Sequence, residues 1–170
     1  MPDSDLKNLE RRLAHLEDRH QLEDLVVRYF LACDERDYAA LAEVFSDDAE
    51  FAGGSGRDEV VGNLQGDRDT MGATIHTPDF FLFDLEPGAD TARGTIGAHC
   101  ELSRGGRTLF GAMRYIDEYV RTDSGWKISK RQIKLYHVGP WEEVATSLTD
   151  ELRVRWPEGD PRPADLPESG

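Results

Sequence analysis

Cysteine is scarce in this chain of 170 residues, which contains only Cys33 and Cys100. Two cysteines this far apart provide neither a disulfide framework nor the ligand spacing of a structural zinc site. Each stands in a hydrophobic stretch of the sequence. We therefore predict that both are buried free thiols, as is typical of proteins in a reducing compartment.

Positive charge and long apolar runs are also scarce. The 34 Asp and Glu outnumber the 20 Lys and Arg, so the formal net charge of −14 repels nucleic acids and anionic membranes. No apolar run approaches the length of a membrane span, and the start, MPDSDLKNLE, lacks the basic and apolar parts of a signal peptide. These features predict a soluble, cytoplasmic protein without a nucleic-acid or membrane partner.

The first part of the chain has helical periodicity. From Asp3 to about Cys33, apolar residues recur at intervals of three and four, first as a narrow seam and then as a broader face. The seam consists of Leu6, Leu9, Leu13 and Leu16, and the broader face of Leu22, Leu25, Val26, Tyr29 and Cys33. The seam suits an oligomer contact or a helix that lies across the domain, and two heptads are too few to predict a coiled coil.

Shorter elements follow this helix. Asp37 is the expected N-cap of a second helix from Tyr38 to Phe45. The segment SDDAEFAGGSG predicts a short strand and a glycine-rich turn, and RDEVVGNLQG predicts a short third helix.

The rest of the chain has the pattern of long strands. They are predicted at Ile75–Leu85, Thr91–Ser103, Thr108–Arg121 and Trp126–Val138, separated by the turns EPGAD, RGGR and TDSG. Helices followed by a run of antiparallel strands predict an α+β domain in which a curved antiparallel sheet wraps the N-terminal helices. We predict a single domain over residues 1–156, with 1–20 as a helical extension, and a tail rich in proline and acidic residues over 157–170.

Asp34 and His76 are the residues best suited to proton transfer. Asp34 follows an apolar run at the end of a helix, where the helix dipole disfavours a carboxylate, so the sequence predicts a raised pKa for Asp34. A carboxylate that orients His76 would make a general base without a metal or cofactor. The structural alternatives are a solvated turn residue for Asp34 and a core histidine for His76.

Three further residues are candidates because of the face on which they lie. Arg131 shares the more apolar face of its strand, where a guanidinium stabilises a developing negative charge or forms a structural salt bridge. His99 lies off the most apolar face of its strand, where it lines a cavity or points to solvent. Tyr29 is on the inward face of the first helix, so we expect its ring in the core and its hydroxyl to be available to a substrate.

The run VVRYFLACDERDYAALAEVFSDDAEF, followed by TIHTPDF and by strands that end in GWKISKRQI, resembles the SnoaL-like branch of the nuclear transport factor 2-like superfamily. The layout of roughly residues 20–140 is similar to that of scytalone dehydratase, hexachlorocyclohexane dehydrochlorinase and the bile-acid 7α-dehydratases. The resemblance implies a cone-shaped α+β barrel, in which helices and a bent antiparallel sheet enclose a pocket. It also implies a homodimer or homotrimer.

The resemblance also implies roles for individual residues. Asp34 and His76 correspond to the catalytic dyad, and Arg131 to the arginine of the last strand of the dehydrochlorinase. Tyr29 matches the tyrosine of the bile-acid dehydratases, but the dehydrochlorinase has a lysine there, which argues against that particular chemistry. A second histidine of scytalone dehydratase lies several positions from His99. The expected substrate contacts are His99, Phe81, Phe83, Met113 and Tyr115.

Two functions of different classes remain open. The first is a cofactor-independent lyase, isomerase or cyclase, in which His76 removes a proton from a small, mostly apolar cyclic substrate while Arg131 and Tyr29 stabilise negative charge. The second is a non-catalytic ligand-binding or assembly subunit of the same fold. A metal site of His76, His99 and Asp34 is a third possibility that no ligand motif supports, so we expect no metal and no cofactor.

Overall fold

A long N-terminal helix dominates the first part of the computed structural model, which describes residues 3–167. This helix, α1 (Asp3–Glu35), has 33 residues and is therefore roughly 50 Å long. Its second half buries the predicted face of Leu22, Leu25, Val26, Tyr29 and Cys33. In its first half, Leu6, Leu9, Leu13 and Leu16 stay 45–61% exposed. No helix within residues 3–167 is both long and apolar enough to cross a membrane.

Asp18 marks the point at which α1 meets the domain. Its two carboxylate oxygens accept hydrogen bonds from Arg121 at 2.8 and 2.7 Å, and one of them also accepts the indole N–H of Trp126 at 3.2 Å. The Arg121 guanidinium, which donates to Asp18, holds the pKa of that carboxyl below its ordinary value, although burial opposes the shift. Before Asp18, residues 4–17 are exposed except for the half-buried His15.

Two shorter helices complete the helical layer. The helix α2 (Tyr38–Glu43) has the predicted cap, since Asp37 Oδ1 accepts the backbone N–H of Ala40 at 2.9 Å. The predicted third helix is α3 (Arg57–Arg68), which buries Val60, Leu64 and Arg68 on one face. Together with α1, these helices cover one side of the sheet.

The sheet has six strands in the order β2-β1-β6-β5-β4-β3. The strands are β1 (Phe45–Phe51), β2 (Gly54–Ser55), β3 (Met71–Asp84), β4 (Thr91–Arg104), β5 (Arg107–Thr122) and β6 (Gly125–Pro140). The four long strands form the predicted antiparallel meander, whereas β1 pairs with β6 in parallel, so the sheet is mixed and open. The predicted α+β class with a curved sheet on N-terminal helices is confirmed.

An irregularity in β3 decides which of its side chains point inward. The register with β4 shifts between Pro78 and Phe80, so that Asp79 is an extra residue in the strand. Before the shift His76 lies opposite the buried Cys100, and after it Phe81 lies opposite the buried Ile96. Because the bulge reverses the alternation, His76 and Phe81 share the inner face that the helices cover.

The segment after β6 continues along the free edge of that strand. It forms a short α4 (Val144–Ser147), after which Val154 pairs with Val138 and with Arg162. Leu135 exchanges hydrogen bonds with Asp165, and both Val154 and Leu166 are buried. The described part of the predicted tail thus lies against β6. Residues 168–170 lie outside the described residues, and the domain limit at 156 stays a prediction.

Candidate active site

Asp34 and His76 meet between α1 and β3. Oδ1 of Asp34 lies 2.6 Å from Nδ1 of His76, and Oδ2 accepts the backbone N–H of the same histidine at 2.8 Å. The Thr74 hydroxyl donates to Oδ1, also at 2.8 Å. A carboxylate next to Nδ1 favours the tautomer with the proton on that nitrogen and leaves Nε2 unprotonated. The pair therefore has the arrangement of an oriented general base.

The surroundings keep the His76 ring in place. The ring stacks on Phe30 with centroids 5.3 Å apart and planes inclined by 5°. The His76 side chain is only 3% exposed and that of Asp34 20%. Within residues 3–167, Nε2 has no hydrogen-bond partner, so its lone pair is free to accept a proton.

The end of α1 is tied to the start of β3 at a second point. Arg36, two residues after Asp34, donates to the carbonyl oxygens of Met71 at 3.0 Å and Gly72 at 2.6 Å. It adopts a positive φ of 56°, which turns the chain out of the helix. The position of Asp34 against β3 is thus fixed by its own hydrogen bonds to Thr74 and His76 and by those of Arg36 to the start of the strand.

The pKa of Asp34 is lowered, which corrects the expectation of a raised value. Burial raises this pKa, but the hydrogen bonds from the ring and the backbone N–H of His76 and from the Thr74 hydroxyl outweigh it. The sequence showed the helix end but not the three donors that satisfy the carboxylate. Asp34 is therefore ionised at neutral pH and suited to orienting an imidazole rather than to donating a proton.

This lowered pKa predicts an acid-dependent contribution to stability. Because the folded pKa lies below the unfolded value of 3.8, ionised Asp34 stabilises the fold above about pH 4, and the contribution is lost as the pH falls through the folded pKa. Urea unfolding at pH 6 and pH 3 should show the wild type more stable than Asp34→Asn at the higher pH, with a smaller difference at the lower. The same difference at both pH values would contradict this assignment.

Arg131 is fully buried and paired. Its Nε and Nη2 donate to Asp117 at 2.8 and 2.6 Å, and the Tyr119 hydroxyl donates to the same carboxylate at 2.6 Å. The guanidinium carbon lies 4.1 Å from the ring centroid of Tyr29 and 4.7 Å from that of Tyr115. This is the structural salt bridge that the sequence left open as an alternative. A contribution of Arg131 to catalysis stays a prediction.

The predicted substrate contacts divide between the two faces of the sheet. Phe81 and Phe83 are half-buried on the inner face with ring centroids 6.3 Å apart, and Met113 and Tyr115 are buried on the same face. Gly94 makes room there, because a Cβ on it would lie 2.9 Å from the Tyr119 ring and 3.0 Å from Phe83. The buried Tyr29 ring is in the core, as expected. These residues share the inner face with His76, but their contact with a substrate stays a prediction.

His99 is on the outer face. It lies between the inward-facing Ala98 and Cys100, pairs with Asp79 at 2.7 Å and stacks on Phe110 with centroids 5.3 Å apart. His99 therefore does not meet Asp34 and His76, and these three residues do not form the metal site considered from the sequence. Asp79 and His99 are a second, half-exposed acid–histidine pair that is separated from the first by the sheet.

Asp117 and Arg68 were not identified from the sequence. Asp117 alternates with Met113, Tyr115 and Tyr119 on the buried face of β5, and an acid in such a series is a signal for a buried ion pair. Arg68 follows Val60 and Leu64 at intervals of four, so it continues the buried face of α3. Both cysteines are buried and free, as predicted.

Comparison with known proteins places this geometry in a family. A model of the SnoaL-like domain matches residues 14–132. A type 2 hexachlorocyclohexane dehydrochlorinase LinA is similar, with 26% identity, coverage of 76% of this chain and 92% of the other, and a TM-score of 0.68. The type 3 enzyme from Novosphingobium barchaimii has 25% identity, coverage of 78% and 96%, and a TM-score of 0.69.

A third similar structure is a nuclear transport factor 2-like protein with a cystatin-like fold from Novosphingobium aromaticivorans. It has 27% identity, coverage of 79% of this chain and 91% of the other, and a TM-score of 0.65. No curated protein matches the chain significantly in sequence. The family model covers most of the chain, including Asp34, His76 and Arg131. The chain therefore belongs to the SnoaL-like domain family.

Proposed function

We propose that this protein is a cofactor-independent lyase or isomerase that acts on a small, mostly apolar cyclic molecule. The observation that carries the proposal is the 2.6 Å contact between Asp34 and Nδ1 of a nearly buried His76 whose Nε2 has no partner within residues 3–167. Similarity to dehydrochlorinases supports an elimination, since those enzymes have the same fold. Aromatic side chains on the inner face, including Phe81 and Phe83, suit an apolar ring.

The proposed reaction begins with proton transfer to His76. Nε2 takes a proton from a substrate carbon, and the electron pair of that C–H bond becomes the new double bond while the leaving group departs with its own bonding pair. Ionised Asp34 stabilises the imidazolium that forms. When the leaving group is a hydroxyl, the imidazolium returns the proton to it and water is released. In an isomerisation the proton returns to another carbon instead.

The proposal can be tested without knowledge of the natural substrate. Nitrobenzisoxazole is a small apolar ring from which a base removes one proton from carbon, and the ring opens to a coloured phenolate. We expect the wild type to accelerate this opening above buffer and His76→Ala to abolish the acceleration. His99→Ala is the matched control, because it removes the histidine of an acid–histidine pair on the opposite face of the sheet. Equal rates for all three proteins would favour the non-catalytic binding or assembly subunit.

We also propose that the chain self-associates as a dimer or trimer. The exposed leucine seam of α1 and the outer-face residues Phe80 and Leu82, 44% and 66% exposed, are apolar surfaces that a second copy would cover. Light scattering at micromolar concentration should give two or three times the chain mass of 19.1 kDa. Dissociation by Leu9→Lys or by Leu82→Lys would show which surface is used, and a monomeric wild type would contradict the proposal.

A further inference from the structure

Arg68 is a buried cation that forms no ion pair within residues 3–167. It is the last residue of α3 and only 8% exposed. Its Nη1 donates to the sulfur of Met71 at 3.3 Å, and its buried Nε has no hydrogen-bond partner within residues 3–167. A thioether is a weak acceptor, so the guanidinium loses its hydration on burial with little compensation.

The other buried cations have carboxylates. Arg131 is bonded to Asp117 through two nitrogens, and the ammonium of Lys127 lies 3.6 Å from a carboxylate oxygen of Glu43. For Arg68, no carboxylate oxygen in the part of the chain that the structure describes lies within salt-bridge distance. Buried charges in proteins are usually paired, so an unpaired one requires an explanation, and a ligand that supplies the opposite charge is one.

The groups around Arg68 are neutral. They include the thiol of Cys33, which is also a hydrogen-bond partner of Arg68, the thiol of Cys100, and the phenols of Tyr29 and Tyr115. Burial raises the pKa of the Cys33 thiol and of both tyrosines, so all three keep their protons at neutral pH. Within residues 3–167, no anionic group therefore lies close enough to form an ion pair with Arg68.

Arg68 and the acid–histidine pair lie on the same side of the sheet. Cys100 connects them, because it is the β4 neighbour of His76 and its thiol interacts electrostatically with both Arg68 and Asp34. Cys33, which interacts with Arg68, directly precedes Asp34 in α1. Arg68 on α3 and His76 on β3 are therefore both on the inner side of the sheet, which the helices cover.

We propose that Arg68 binds the carboxylate of the substrate, so that the substrate class is a small apolar ring with one carboxylate group. This inference rests on the proposed function for the identity of the site, and it narrows the ligand from a neutral molecule to an anion. A single guanidinium matches a single carboxylate in charge and in its planar, two-point geometry. The net charge of −14 repels anions in general, so affinity for a carboxylate must come from a local cation such as this one.

The test compares charged and neutral ligands of the same shape. Isothermal titration calorimetry would measure the binding of benzoate and cyclohexanecarboxylate, each against its neutral amide. The wild type should bind at least one carboxylate about tenfold or more tightly than its amide, and Arg68→Met should lose that preference. Arg19→Met is the control, because it removes the same charge from an exposed site on α1 and should keep the preference.

Two outcomes would overturn the inference. One is the absence of a carboxylate preference in the wild type, or a preference that survives Arg68→Met. The other is a lower melting temperature of Arg68→Met without ligand, since removal of an unbalanced buried charge should leave the melting temperature unchanged or raise it. His76→Ala should keep the carboxylate preference, because it removes the proposed base and leaves Arg68 in place. A failure of the proposed catalytic function can therefore be distinguished from a failure of the proposed anion site.

Discussion

Replacing Asp34 by Asn should lower turnover by a factor of about 10² or more while the protein stays folded and binds its ligand. The amide has nearly the same shape as the carboxylate, but it cannot stabilise the imidazolium that forms when His76 takes a proton. Its NH₂ group can also donate to Nδ1, at the 2.6 Å contact, and thereby place the proton on Nε2, the wrong nitrogen for a base. The measurement is steady-state turnover of nitrobenzisoxazole, and later of the natural substrate, at saturating concentration.

The chain offers a matched control for this substitution. Asp79 contacts Nδ1 of His99 at 2.7 Å, nearly the distance of the first pair, but this second pair is on the outer face and half-exposed. Asp79→Asn should therefore leave turnover within about twofold of the wild type. It makes the same substitution next to a histidine, but on the outer face of the sheet, which the helices do not cover. Turnover like that of the wild type in both Asp34→Asn and His76→Ala would show that the first pair is structural and would favour a binding or assembly subunit.

The elements of the fold could be predicted because their signals are local. The inward leucines of α1, the Asp37 cap and the alternation in the four long strands each depend on residues close in sequence. The parallel pairing of β1 with β6 joins segments about 80 residues apart, such as Phe45 and Ile128, and no local pattern specifies it. Topology of this kind depends on packing that is decided after the elements have formed.

The site could be predicted only in part, because its geometry also depends on contacts between residues that are distant in sequence. Strict alternation in β3 would place His76 and Phe81 on opposite faces, and only the extra residue Asp79 lets both point inward. The predicted direction of the Asp34 pKa shift was wrong, because the helix end alone would raise this pKa, and local sequence does not reveal the donors Thr74 and His76. Arg131 was recognised as a buried cation, but its partner Asp117 was not.

Loss of the Asp117 carboxylate, the partner of Arg131, should have the largest effect on stability. Asp117→Asn keeps the shape of the side chain but leaves the Arg131 guanidinium, which is wholly buried, without a counter-charge. Removing one member of a buried ion pair typically lowers the free energy of unfolding by about 3–5 kcal/mol. Urea unfolding should show a loss of this size. Glu50→Gln should change stability by less than about 1 kcal/mol, because it breaks the pair with Lys130 whose side chains are both more than half exposed.

The same experiment decides between the two roles considered for Arg131. If the pair is structural, the double variant Arg131→Met with Asp117→Leu should recover most of the stability lost in Asp117→Asn, since no buried charge remains, and turnover per folded molecule should stay near that of the wild type. If Arg131 stabilises charge in the transition state, it must act through Nη1, which is buried and has no partner within residues 3–167. The double variant would then be stable but at least about tenfold slower, and Arg131 would join His76 in the reaction.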